Sequence, residues 1–107
     1  MTAQVVQVGP LDELAPGTAR QVIVGEHRIA VVRCEDDVYA IGDWCSHEKV
    51  SLAEGEVLCE DRELECWKHG STFSLIDGNP QSLPATKPVP VYEARVVDGE
   101  IEVVIDG

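Results

Sequence analysis

The sequence predicts an all-β fold with a loop-rich insertion, and three features indicate this class. Short apolar runs of high β propensity recur along the chain between turn-forming residues. Two of the turns, Gly25-Glu26 and Asp98-Gly99, are two-residue hairpin signals. We find no segment of helical length whose apolar residues follow the helical period. At 107 residues the chain has the length of one domain, so we expect a single domain over residues 1–107.

The apolar runs predict the individual strands. The first hairpin has strands over residues 19–24 and 27–34, in a register that places Val22 opposite Ile29. The second has strands over 91–97 and 100–105, and it pairs Val96 with Ile101, Ala94 with Val103 and Tyr92 with Ile105. Further strands are expected at residues 5–8, 38–42, 64–67 and 71–75. Residues 43–58 lack a steady period and are predicted as mostly loop, within an insertion over approximately residues 43–75.

The charge balance limits the partners this chain can have. Its net charge is −12, from 20 acidic and 8 basic residues. This argues against nucleic acid and against an anionic membrane surface. Attraction to a basic partner and simple solubility both remain open as explanations. Residues 1–10 do not resemble a signal peptide, and no apolar run reaches the roughly 18 residues of a membrane span, so we expect a cytoplasmic protein. There, four cysteines favour metal ligation or thiol chemistry over disulfides.

Two short units in the insertion carry side chains that bind metals strongly. Cys45-Ser46-His47 has one residue between its two ligands, Cys66-Trp67-Lys68-His69 has two, and 18 residues separate the units. Thiolates suit ferric iron, and imidazoles suit metals of intermediate softness. The ligand set alone also permits a tetrahedral zinc site, although structural zinc sites usually begin with two cysteines. The residues alone therefore leave two kinds of site open, an iron–sulfur cluster and a zinc ion, with a spacing that is unusual for structural zinc.

The pattern Cys-x-His, 18 residues, Cys-x-x-His resembles the Rieske family of [2Fe–2S] proteins. The resemblance extends through Gly70 and Ser71 and through the proline-rich segment 84–90. It implies the Rieske fold, an antiparallel β-sandwich with a loop-rich cluster-binding insertion. It also implies one [2Fe–2S] cluster, with two Cys ligands on one iron and two His ligands on the other. The ligands it implies are Cys45, His47, Cys66 and His69.

The surroundings of the implied cluster differ from those of the high-potential family members. Those proteins carry a further cysteine in each loop, where this chain has Val50 and Lys68, so no disulfide can join the two loops. Ser71 matches their serine, but Phe73 replaces a tyrosine whose hydroxyl supports the cluster. Fewer hydrogen bonds to sulfur predict a potential near the low end of the Rieske range, roughly −150 mV. The expected cluster environment is Trp67, Gly70, Ser71, Phe73 and, in the proline loop, Pro84.

The resemblance implies a one-electron carrier with no catalytic activity of its own. Its expected electron donor is an NAD(P)H-dependent flavoprotein reductase, and its expected acceptor is a terminal oxygenase such as a ring-hydroxylating dioxygenase. A small subunit of nitrite reductase, an accessory ferredoxin of iron–sulfur assembly and a redox-sensing module are alternatives, as is a structural zinc-binding module. Because a carrier docks with two partners in turn, we expect a monomer.

Residues outside the two units have simpler interpretations. Cys34 and Cys59 have no Cys or His at ligand spacing, and they are predicted to be buried free thiols in the core. His27, beside a hairpin turn, is expected on the surface. Trp44 and Trp67 each adjoin a predicted ligand, and their sequence position fits cluster shielding, partner docking or ordinary packing.

Overall fold

The computed structural model describes residues 3–45, 50–68, 70–81 and 87–106. Two 3-10 helices, Leu11–Glu13 and Leu52–Glu54, interrupt the strands of this part of the chain. None of the helices within the described ranges has the length and hydropathy needed to cross a membrane. The strands are β1 (Ala3–Pro10), β2 (Thr18–Val24), β3 (His27–Cys34), β4 (Asp37–Gly42), β5 (Glu56–Leu58), β6 (Glu63–Glu65), β7 (Thr72–Ser74), β8 (Val91–Val97) and β9 (Glu100–Asp106).

Antiparallel pairing arranges these strands in two sheets. The larger sheet has six strands in the order β1-β9-β8-β4-β3-β2, and the smaller has the order β5-β6-β7. Strand β8 changes partner along its length: its first two residues pair with β4, and residues 93–97 pair with β9. This change lets β9 face β3 and β4 across a shared apolar core. The expected antiparallel sandwich is confirmed.

Strand β3 separates two apolar cores because it is buried on both faces. One set of its alternating side chains, together with that of its neighbour β4, faces β9 in the sandwich core, which comprises Leu14, Ile29, Val31, Ala40, Ile101, Val103 and Ile105. The other set faces the smaller sheet in the insertion core, which comprises Ala30, Val32, Cys34, Ile41, Cys45, Leu52, Leu64, Cys66, Phe73, Leu75 and Val89. The insertion therefore rests on β3 through a continuous packed layer.

The predicted hairpins are largely confirmed. Val22 lies opposite Ile29, and the pairs Val96–Ile101 and Ala94–Val103 are present. Asp98 and Gly99 both have positive φ, 51° and 78°, as a type I′ turn requires. The pair Tyr92–Ile105 is wrong, because the β8–β9 ladder ends at Glu93–Val104 and Tyr92 pairs with Ala40 instead.

The prediction of loop over residues 43–58 missed two short elements. The 3-10 helix Leu52–Glu54 and strand β5 both lie there, and each has three residues. Three residues are too few to establish a period in sequence. Strand β5 is defined by its pairing, with Val57 opposite Leu64 of β6.

The prediction that Cys34 and Cys59 are free thiols is wrong, because the structure joins them in a disulfide. Their Cα atoms lie 5.6 Å apart although 25 positions separate them in sequence. Cys34 ends β3, and Cys59 follows β5 in the turn that leads to β6. The pairing arises because the smaller sheet folds back over the end of β3. The disulfide thus fastens the smaller sheet to the larger one.

His27 is also less exposed than predicted. It is half-buried, its Nδ1 lies 3.1 Å from the Tyr92 hydroxyl oxygen, and the two rings meet edge to face. Tyr92 can approach because β8 begins alongside β4, close to the hairpin that carries His27. The hydroxyl is partly desolvated, and this burial raises the pKa of Tyr92.

Candidate metal centre

The first ligand unit lies in a loop that is closed at its base. The backbone N–H of Cys45 donates to the Val50 carbonyl at 3.1 Å, and Trp44 forms an antiparallel bridge with Ser51. Just below, the N–H of Leu52 donates to the Asp43 carbonyl. These contacts fix Cys45 at the neck of the loop. His47, the other predicted ligand of this unit, lies outside the described residues.

The second unit follows β6 in the connection to β7. The N–H of Cys66 donates to the Ser71 carbonyl at 2.7 Å, and the N–H of Gly70 donates to the Cys66 carbonyl at 2.9 Å. Gly70 has φ +74°, a left-handed conformation that glycine adopts without steric cost. The turn therefore closes on Cys66 from both directions, while His69 lies outside the described residues.

The cysteines of the two units share one environment. Cys45 and Cys66 take no part in the disulfide; both are buried, with 4% and 0% of their surfaces exposed, and both belong to the insertion core. The other two cysteines bond to each other, so the structure separates a disulfide pair from two cysteines that lie outside any disulfide. Two buried thiols at the bases of two loops fit the sulfur half of a Cys₂His₂ donor set. In the described ranges, no group of three or more His, Cys, Asp or Glu side chains is arranged as a metal site.

The residues that were predicted to surround the cluster include both buried and exposed ones. Ser71 and Phe73 are fully buried, and Phe73 packs in the insertion core. Trp67 is 53% exposed and Gly70 is also exposed, so the second unit reaches the protein surface. Pro84 lies outside the described residues. The predicted site thus has apolar packing behind Cys66 and an accessible side beyond it.

The sequence interpretation missed the burial of two residues near the predicted site. Val89, next to Pro88 and Pro90, is buried in the insertion core, and its N–H donates to the Gly78 carbonyl at 2.9 Å. Asp43 is fully buried two positions before Cys45. The prolines identified the segment that contains Val89, but they did not show that the Val89 side chain turns into the core. A single aspartate after a strand carries no sequence signal of burial.

The smaller sheet is also attached to the larger one through Arg62. Its Nε donates to the Tyr39 hydroxyl at 3.0 Å, it donates to the Cys59 carbonyl, and its Nη2 lies 3.6 Å from a carboxylate oxygen of Asp37. The hydrogen bond with Tyr39 raises the pKa of the Arg62 guanidinium, which stays charged. These contacts and the disulfide hold the same turn against β3 and β4.

Trp44 is held beside the first unit by a cation–π contact. The guanidinium carbon of Arg28 lies 4.5 Å from the centre of the indole ring, and Trp44 is 37% exposed. Together with His27 and Tyr92 it borders a cavity of about 280 Å³ at the surface. The ring therefore has both packing and solvent-facing sides, close to Cys45 in sequence.

Comparison with known proteins gives consistent relationships. A family model described as the Rieske [2Fe-2S] domain matches residues 4–93. The anthranilate 1,2-dioxygenase ferredoxin subunit of Burkholderia cepacia is 38% identical over 96 residues, 90% of this chain and 87% of the relative. Among solved structures, the ferredoxin of carbazole 1,9a-dioxygenase from Nocardioides aromaticivorans IC177 has a TM-score of 0.91 and 37% identity, covering 95% of this chain and 98% of that one. A ferredoxin solved in complex with the oxygenase of carbazole 1,9a-dioxygenase has a TM-score of 0.84 and 40% identity, covering 92% and 91%.

Proposed function

Because this chain belongs to the Rieske [2Fe–2S] domain family, we propose that it is a one-electron carrier built around a single [2Fe–2S] cluster. One observation carries the proposal: Cys45 and Cys66 lie outside the disulfide and are buried in one core, at the necks of the two loops that contain His47 and His69. The family's cluster needs two thiolates and two imidazoles, and these four residues supply them. We therefore assign Cys45, His47, Cys66 and His69 as the ligands.

The residues around these ligands have different roles. The loop neck at Val50 and the turn at Gly70 set the backbone of the two cysteines. Phe73 and the other side chains of the insertion core keep water from the sulfur side. When bound, the cluster supplies a centre that takes up and releases one electron. Trp67, exposed beside Cys66, lies where a partner would approach the second unit.

We further propose the partners. The relatives named above are ferredoxin subunits of ring-hydroxylating dioxygenases, and one is solved in complex with its oxygenase. By analogy, this chain would pass electrons from an NAD(P)H-dependent flavoprotein reductase to such an oxygenase, in the cytoplasm, as a monomer consisting of one Rieske domain. Its charge of −12 suits association steered by a basic partner surface. It would have no catalytic activity alone. Among the alternatives, nitrite reductase as the acceptor and the zinc module become outcomes of the tests below.

Spectroscopy of protein purified without added metal tests the proposal. We expect about two irons per chain, visible absorption, and an EPR signal after dithionite with the low average g value of a His-ligated cluster. Cys66→Ser should lose the colour, whereas the Cys34→Ala/Cys59→Ala double variant should keep it, because those sulfurs bond to each other. A colourless protein with one zinc per chain would overturn the electron-carrier proposal. Transfer to nitrite reductase but to no oxygenase would overturn the assigned acceptor.

A further inference from the structure

Asp43 is a fully buried carboxylate next to the first ligand unit. The Ser51 hydroxyl donates to its Oδ2 at 2.7 Å, the Ala53 N–H donates to its Oδ1 at 2.9 Å, and the Gln21 side-chain amide also donates to Oδ2. The carboxylate therefore uses both oxygens, and its donors come from two separate parts of the chain. Burying an unsatisfied carboxylate is costly, so this set of donors is what permits the position.

The backbone of Asp43 makes two more connections. Its N–H donates to the Arg28 carbonyl on β3 at 2.9 Å, and its carbonyl accepts from the Leu52 N–H. Asp43 thus connects β2, β3 and the returning end of the ligand loop at Ser51–Ala53. The outgoing end of that loop starts from Asp43 itself and reaches Cys45 two residues later. Both ends of the loop are consequently held by one residue.

We propose that Asp43 is a positioning residue for the first cluster-binding loop, fixing the loop neck so that Cys45 stays in place to retain the cluster. This proposal rests on the proposed function, because it assumes that the loop holds a [2Fe–2S] cluster. In this proposal Asp43 acts through the loop backbone and is not itself a ligand. Hydrogen bonds to a charged group are stronger than those between neutral groups. A carboxylate at position 43 can therefore hold the loop neck more firmly than an apolar side chain, which makes no hydrogen bonds.

Three variants separate this role from general stability. Asp43→Ala removes every side-chain contact. Asp43→Asn keeps the shape, and its amide can rebuild the network because the Ser51 hydroxyl and the Gln21 amide can both turn to accept. Val103→Ala is the matched control, since Val103 is 1% exposed in the sandwich core, on the far side of β3 from the ligand loops. All are studied at a temperature where each remains folded by circular dichroism.

The first readout is the decay of visible absorption of the loaded protein in air. We expect Asp43→Ala to lose its cluster roughly tenfold faster than the parent protein. Asp43→Asn should stay within about twofold of the parent, and Val103→Ala should be unchanged. Equal half-lives for the parent and Asp43→Ala would overturn the proposal. So would failure of Asn to restore retention, or a Val103→Ala protein that decays as fast as Asp43→Ala.

The second readout is amide hydrogen exchange of the metal-free protein, which does not depend on the cluster. In Asp43→Ala we expect faster exchange at Cys45, Leu52 and Ala53, with β9 unchanged; in Val103→Ala the loop amides should keep their protection. Unchanged loop protection in Asp43→Ala would overturn the positioning role. A parent protein that never holds iron would overturn the proposed function, and the exchange result would still decide whether Asp43 holds the loop.

Discussion

Replacing both cysteines of the disulfide by alanine tests how the smaller sheet is fastened. The Cys34–Cys59 bond spans 25 positions, and a loop of that length restricts the unfolded chain by about 3.5 kcal/mol. Domains of this size unfold at a cost of about 5–15 kcal/mol. The Cys34→Ala/Cys59→Ala variant should therefore lose a large share of its stability and keep its fold.

Urea unfolding of the metal-free protein measures this loss. With a slope of about 1.5 kcal/mol per M, we expect the midpoint to fall by about 2 M in the double variant. Reducing the parent protein is the matched control, because it opens the same loop and leaves the sequence unchanged. The reduced parent should unfold close to the double variant.

Counting thiols checks the premise independently. Metal-free protein, unfolded without reductant, should be alkylated at two cysteines, Cys45 and Cys66. Alkylation at all four cysteines would refute the pairing. A midpoint shift below about 0.3 M, with the bond shown to be present, would refute the chain-entropy reasoning.

Three further perturbations address other parts of the structure. Gly55→Ala would place a Cβ 1.7 Å from the Glu65 carbonyl oxygen, so we expect a loss of about 3 kcal/mol in urea unfolding, and a loss under 1 kcal/mol would contradict this packing. Hydrogen bonding from the Asn79 N–H lowers the pKa of the Asp77 carboxyl below 3.8. The Asp77→Asn variant should therefore be less stable than the parent protein above pH 3.8, and this difference should vanish as the pH falls through the lowered pKa of the folded state. A difference in stability that persists in acid would contradict the assignment. Trp67→Ala should slow electron transfer to the proposed oxygenase partner about tenfold in stopped-flow kinetics while the urea midpoint stays constant. An unchanged rate would exclude Trp67 from docking.

The parts of the fold that the sequence predicts are those set by local chemistry. Asp98-Gly99 can adopt the positive φ values of a tight turn, and that turn fixes the register of β8 and β9. The ligand units are likewise recognisable because spacing and residue type occur together. The cysteines of both units belong to one apolar core, while the assignment of the four ligands stays a prediction.

The features that escaped prediction depend on contacts between distant segments. Cys34 meets Cys59 only because the β5–β6 hairpin folds over the end of β3, and neither residue's neighbours indicate this. Tyr92 leaves its expected partner because β8 turns toward β4. Asp43 looks like an ordinary polar residue after a strand until Ser51 and Ala53 return to it.

The two-faced burial of β3 constrains how this protein can change. Ala30 and Val31 are adjacent in sequence, yet Ala30 belongs to the insertion core, which also contains Cys45 and Cys66, and Val31 belongs to the sandwich core. A single-residue insertion in this strand would exchange, beyond the point of insertion, the side chains that β3 contributes to the two cores. The insertion core and the sandwich core therefore depend on one alignment of the residues of β3. A change of length in this strand cannot alter one core without disturbing the other.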